Sequence, residues 1–226
     1  SRLGPSNVAP WVDPPRAGRP EVRALREVEA RRLPEATRGD RLEALYILAL
    51  ASGLRQGEAL GLHWQDVDLE AATLRVRVAL QRLEGRGLQT VEPKTARSRR
   101  SIALPPPVVE SLRAHKSRQA QERLLAGSNW QDTGLVFTTA TGKPLEGSSV
   151  THRFQKLLQL AGLPHTRFHD LRHACASLLL AQGVHPRVVM ETLGHSQISL
   201  TMNTYSHVIP ALQRDAADRM GAILSR

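Results

Sequence analysis

The chain has 226 residues, with 31 Lys and Arg against 21 Asp and Glu, a net charge of +10 and a pI near 11.0. Hydrophobic residues make up 41% and charged residues 23%, which excludes a disordered, collagen-like or coiled-coil chain and leaves ample material for a buried core. No apolar run approaches the roughly 20 residues that cross a bilayer as a helix, the lone Cys175 excludes an internal disulfide, and the excess of positive charge points to a polyanionic partner.

Residues 1–20 contain Pro5, Pro10, Pro14, Pro15 and Pro20 and are expected to form an extended linker or arm. A first helix is expected over Glu21–Arg32. Asp40 and Glu43 form a capping-box pattern before a run, Ala44–Ala51, in which every residue is apolar or Tyr46. A helix apolar on all sides belongs in the core, and Gly53 is its expected stop. A short helix follows from Arg55 to His63. Thr73–Leu80 alternates Leu74, Val76, Val78 and Leu80 with Arg75 and Arg77, the pattern of a half-buried strand. Leu88–Glu92 and Arg100–Leu104 are two more strands, with Pro93–Arg99 expected as a basic hairpin turn between them. Helices are expected at Pro107–Ala126, Ser148–Ala161, Phe168–Gln182, Pro186–Leu193, Ile198–Tyr205 and Pro210–Leu224, and a short strand at Leu135–Thr138. The expected fold is therefore mixed α/β, predominantly α-helical, with one small antiparallel three-stranded sheet.

Several polar residues stand out along this frame. Arg55, in Gly53-Leu54-Arg55-Gln56-Gly57-Glu58, places a guanidinium whose fork suits phosphate oxygens just after the core helix, with Glu58 three residues on to hold it; taken alone, the pair reads equally as a surface i,i+3 ion pair. His169 and Arg172 share a face at the start of a helix. His169 and His173 have the i,i+4 spacing of a zinc-binding helix, but Asp170 occupies the position of that motif's glutamate and no third ligand is evident. Leu193-Gly194-His195 closes another helix. Tyr205 has polar neighbours, whereas Tyr46 reads as packing. Lys94 sits in the basic turn.

Taken in order, Gly-Leu-Arg-x-x-Glu, a turn lysine, His-x-x-Arg, Leu-Gly-His and a tyrosine resemble the tyrosine recombinase (phage integrase) family, from about Val22 to Leu224. The flanks Leu62-His63-Trp64-Gln65-Asp66-Val67-Asp68 and Thr204-Tyr205-Ser206-His207-Val208 fit as well. The resemblance implies that 21–226 form a catalytic domain, that 1–20 lead from an N-terminal DNA-clamping domain, and that the 210–224 helix is available to a neighbouring subunit. It implies Tyr205 as nucleophile, Arg55 and Arg172 as phosphate clamps, Lys94, His169 and His195 as further catalytic residues, and Glu58 as support for Arg55. The implied reaction cuts and rejoins DNA through a 3′-phosphotyrosine, with no cofactor, metal or ATP. The implied partners are double-stranded DNA, three more copies in a tetramer on DNA (a monomer when free), and accessory bending or directionality proteins; the implied location is the bacterial cytoplasm at the nucleoid.

Arg97, Arg99, Arg100, Arg113, Lys116 and Arg118 are expected to track DNA phosphates. Within the family, an integrase of a phage or integrative element is favoured over a chromosome-dimer resolvase. Two other readings stand beside this one: a non-catalytic basic DNA-binding module of the same fold, and a zinc hydrolase built on His169 and His173.

Overall fold

The computed structural model describes residues 25–92, 99–194 and 209–225. The expected arm 1–20 and the expected helix Ile198–Tyr205 lie outside the described residues, as do Lys94, Arg97, His195 and Tyr205.

Helix α1 (Glu27–Thr37) opens with the Glu29 carboxylate accepting from the Arg26 N–H at 2.8 Å. It runs further than expected, through Pro34, because Leu33 and Thr37 are fully buried on either side of that proline. Helix α2 (Glu43–Ser52) is the central element, packed against α1 and against the later helices α4 (Pro106–Ala126) and α6 (Asp170–Ala181). Its residues Leu45, Tyr46, Leu48 and Ala49 have no solvent exposure, as an all-round apolar helix requires. The expected capping box is displaced. The Asp40 carboxylate accepts from Leu42 N–H and the Glu43 carboxylate reaches back to Gly39 N–H, at 2.8 and 2.9 Å. Tyr46 packs on Phe154 and Phe168 at ring distances of 4.9 and 6.3 Å. Its hydroxyl is buried without a hydrogen-bond partner, so it is held by packing alone.

The expected strand Thr73–Leu80 is in fact two. Strand β2 (Thr73–Val76) pairs with β1 (Val67–Asp68) and β5 (Arg100–Ala103) in a three-stranded antiparallel sheet of order β1-β2-β5. Strand β3 (Ala79–Leu83) leaves that sheet and forms a separate ladder with β4 (Gly87–Val91). The single expected sheet is thereby corrected to two small ones. The expected hairpin between the strands flanking Pro93–Arg99 is corrected too, since β4 pairs with β3 and β5 with β2. Helix α3 (Gln56–Leu60) packs on β3, and at Gly61, which closes it, an added Cβ would come within 2.7 Å of the Leu80 backbone nitrogen.

Helix α4 buries Val108, Leu112, His115 and Gln119. Gln119 donates to the carbonyls of Leu135 and Val136 and to Thr138 Oγ1, and accepts from Trp64 Nε1 at 2.7 Å. This side chain docks the 135–138 segment, which forms only single bridges (His63 with Leu135, Thr138 with Pro144) where a strand was expected. Helix α5 (Gly147–Leu160) buries Val150, Phe154 and Leu158 at four-residue spacing. Helices α6, α7 (Pro186–Leu193) and α8 (Ile209–Leu224) follow. Helix α6 starts two residues later than expected because the buried Asp170 caps it from the side, accepting from Arg167 N–H at 2.9 Å.

Candidate active site

Four elements meet where α2 ends. Gly53 adopts the left-handed conformation (φ 61°) that reverses the chain. Its carbonyl accepts a 2.7 Å hydrogen bond from Nη1 of Arg172, a side chain on α6 that is almost wholly buried. Two residues on, Arg55 is the residue that precedes α3. Glu58 reaches back to it twice: one carboxylate oxygen accepts from the Arg55 N–H at 3.0 Å and the other from Arg55 Nη1 at 2.8 Å. The Arg55 side chain is 43% exposed and that of Glu58 only 5%. The arrangement presents one guanidinium to solvent on a buried carboxylate, and holds a second to the backbone beside it.

Arg100, expected to track DNA phosphates, has a side chain only 7% exposed, and its guanidinium is turned inward: Nη2 lies 2.9 Å from Glu58 and Nε donates to the Thr192 carbonyl at 2.7 Å. The signal was present in the sequence. Arg100 is two residues from the buried Ile102 and so shares its face of the strand. Burial raises the Glu58 pKa, but the hydrogen bond and charge of Arg100, then those of Arg55, outweigh it and hold the carboxyl below its ordinary value. Removing one member of such a buried pair typically costs about 3–5 kcal/mol.

His169 stands at the start of α6, its ring 5.4 Å from that of His173. Partial burial, then the charges of His173 and Arg172, lower the His169 pKa; burial likewise lowers that of His173. His169 is thus held neutral at pH 7, the form that accepts a proton. Among the described residues no group of three His, Cys, Asp or Glu side chains is placed to hold a metal ion. The other expected phosphate contacts among the described residues also have partners within the chain, at the surface for Arg99 and Arg113. Arg99 pairs with Glu92 at 3.2 Å, Arg113 with Glu70 at 2.7 Å, Arg118 donates to the Asp40 carbonyl, and Lys116 lies over the Trp64 ring at 5.2 Å.

The sequence model of the phage integrase family matches residues 23–211. The chain belongs to the phage integrase family. Among its relatives are a tyrosine recombinase XerC-like protein of Caldanaerobacter subterraneus subsp. tengcongensis, 39% identical over 88% of this chain and 54% of that protein, and an integrase of Streptomyces ambofaciens, 34% identical over 92% of this chain and 55% of that one. The chain thus spans a little over half the length of these curated relatives. The same fold occurs in the Tn1549 transposon integrase solved with transposon right-end DNA (TM-score 0.75, 23% identity, 88% of this chain and 66% of that one). It occurs also in the XerA recombinase (TM-score 0.67, 24% identity, 92% and 66%).

Two predictions arise from this integrase-family site. The first concerns Gly53. An added Cβ would overlap Leu193 Cδ2 and touch Cys175 Sγ at 3.4 Å, in a backbone region that L-residues avoid. Gly53→Ala should cost about 2–4 kcal/mol in urea denaturation; a loss below about 1 kcal/mol would show that Leu193 swings aside at no cost. The second concerns pH. Folding favours neutral His169 and His173, so the stability this contributes is complete above the free-histidine pKa of 6.5 and is lost as acid protonates them in the folded chain. Melting temperatures of wild type and of the His169→Gln, His173→Gln double variant should diverge between about pH 7 and pH 5, wild type falling further. Parallel curves would remove the imidazoles from the acid response.

Proposed function

We propose that this chain is the catalytic unit of a tyrosine-type site-specific DNA recombinase, an enzyme that cuts and rejoins double-stranded DNA. The observation that supports it most is the corner at Gly53: the half-exposed Arg55 on buried Glu58, with Arg172 tied to the backbone two residues away. A guanidinium held by Glu58 and a second bonded to the backbone two residues earlier suit the two nonbridging oxygens of a single phosphodiester. The recombinase and integrase names of the relatives, and the DNA in the Tn1549 integrase structure, support the same reading.

In the proposed reaction the Tyr205 hydroxyl oxygen attacks the scissile phosphorus. Its proton passes to neutral His169, a bond forms from the tyrosine oxygen to phosphorus, and the bond from phosphorus to the 5′-oxygen breaks. Lys94 supplies the proton that the departing oxygen takes up. Arg55, Arg172 and His195 carry the charge on the nonbridging oxygens. A 5′-hydroxyl from a partner duplex then attacks the 3′-phosphotyrosine and releases Tyr205. One phosphodiester is exchanged for another, so no nucleotide hydrolysis is needed. We place the chain among integrases of mobile elements, on the Thr204-Tyr205-Ser206-His207-Val208 neighbourhood and the integrase names of relatives. It would act as a tetramer on DNA in the bacterial cytoplasm, at the nucleoid.

The test is adduct capture. The chain is incubated with a library of nicked duplexes randomised beside the nick, denatured in detergent, and probed for covalently attached DNA. A DNA-linked peptide containing Tyr205 is expected. Binding with no adduct from any duplex would leave the non-catalytic DNA-binding module.

A further inference from the structure

We propose that Arg100 is a positioning residue that locks Arg55 and the C-terminal end of α7 into one arrangement. The inference rests on the recombinase reading above. Three observations carry it. The Arg100 side chain is 7% exposed, and its guanidinium is turned inward. Its guanidinium is spread over two elements far apart in the chain: Nη2 and Nη1 approach the two Glu58 oxygens at 2.9 and 3.3 Å, and Nε donates to the Thr192 carbonyl at 2.7 Å. Room is left for it at Gly194, where a Cβ would come within 2.9 Å of Arg100 Nη1.

The sequence positions of these contacts give them their meaning. Glu58 is three residues from Arg55, Thr192 is three residues before His195, and Arg100 itself begins the strand six residues after Lys94. One planar fork therefore joins the chain neighbourhoods of three proposed catalytic residues. Only a guanidinium satisfies both directions at once; a lysine ammonium, a point donor on a flexible stem, cannot span the carboxylate and the carbonyl with fixed geometry. Glu58 held by Arg100 from beneath keeps a single orientation, and with it Arg55 keeps a single rotamer.

The test compares wild type with Arg100→Lys, and with Arg100→Gln should the lysine variant not fold, on a duplex recovered by adduct capture. Single-turnover adduct formation at saturating DNA should fall about 10–100-fold, the scale of a small misplacement of reacting groups, with DNA affinity and its salt slope unchanged. The defect should shrink on a duplex whose scissile phosphate is an uncharged methylphosphonate, because a neutral centre asks little of Arg55. In parallel, ¹⁵N relaxation of the Arg55 Nε–Hε group should show an ordered side chain in wild type and a mobile one in the variant. Equal defects on both duplexes with Arg55 still ordered would reduce Arg100 to a stability role and overturn the proposal. A salt slope lowered by about 0.9 with saturated cleavage intact would make it a phosphate contact, which also overturns it. Absence of any wild-type adduct is the separate signature that the recombinase reading has failed, and the Arg55 relaxation comparison still decides whether Arg100 orders it.

Discussion

Tyr205→Phe should abolish the covalent protein–DNA adduct and leave DNA affinity nearly unchanged. The substitution removes one oxygen and almost no volume, so the fold and the basic surface are preserved. Loss of the nucleophile should reduce adduct formation by about 10⁴-fold or more. A free phenol has a pKa of about 10 and needs both a base and nearby positive charge to react at neutral pH, which the proposed site supplies through His169 and the two arginines. No second tyrosine can take over. Tyr46 is fully buried between Phe154 and Phe168, and burial raises its pKa above that of a free phenol. Detergent-stable adduct measured on a gel, with peptide mapping of any residue that carries DNA, checks this. Adduct persisting in the Phe variant on Tyr46 or on a serine would move the nucleophile elsewhere.

Lys94→Ala should cripple cleavage of an ordinary strand and be largely rescued when sulfur replaces the leaving 5′-oxygen. A departing alkoxide is strongly basic and needs a proton; a thiolate leaves without one. General acid help of this kind is typically worth about 10²–10⁴-fold, and that is the expected gap between the two substrates. A guanidinium holds its protons too tightly to do the same work. Arg55→Ala and Arg172→Ala should show no such rescue, because the role proposed for their charge is on the nonbridging oxygens, which sulfur in the bridge leaves untouched. Equal defects of Lys94→Ala on both strands would leave Lys94 as a DNA contact.

The parts of this site that the sequence made legible are the local ones. Gly53 as a stop, Glu58 reaching Arg55 across three residues, and the core position of α2 all follow from spacing within one or two turns. Helix α7 begins and ends at the expected residues, because Pro186 can start a helix and Gly194 can end one. The strands were less legible. Alternation tells which face of Thr73–Leu80 is buried, but β pairing is decided by residues far along the chain, so the break between Val76 and Ala79 and the pairing of β2 with β5 were invisible. Arg100 fell between the two cases. Its neighbours Arg97 and Arg99 suggested a basic patch, while its register with Ile102 already placed it inward.

The clamp at Gly53 also bears on when the chain can become active during its own synthesis. Its hydrogen bonds join residues 119 positions apart (Gly53 with Arg172) and 92 positions apart (Arg100 with Thr192). Synthesis runs at about 5–20 residues per second, so Arg55 and Glu58 leave the ribosome several seconds before their partners on α6 and at the end of α7. A half-made chain has Arg55 and Glu58 without the buried partners that fix them. On the proposed function, strand cutting becomes available only with the last third of the polypeptide.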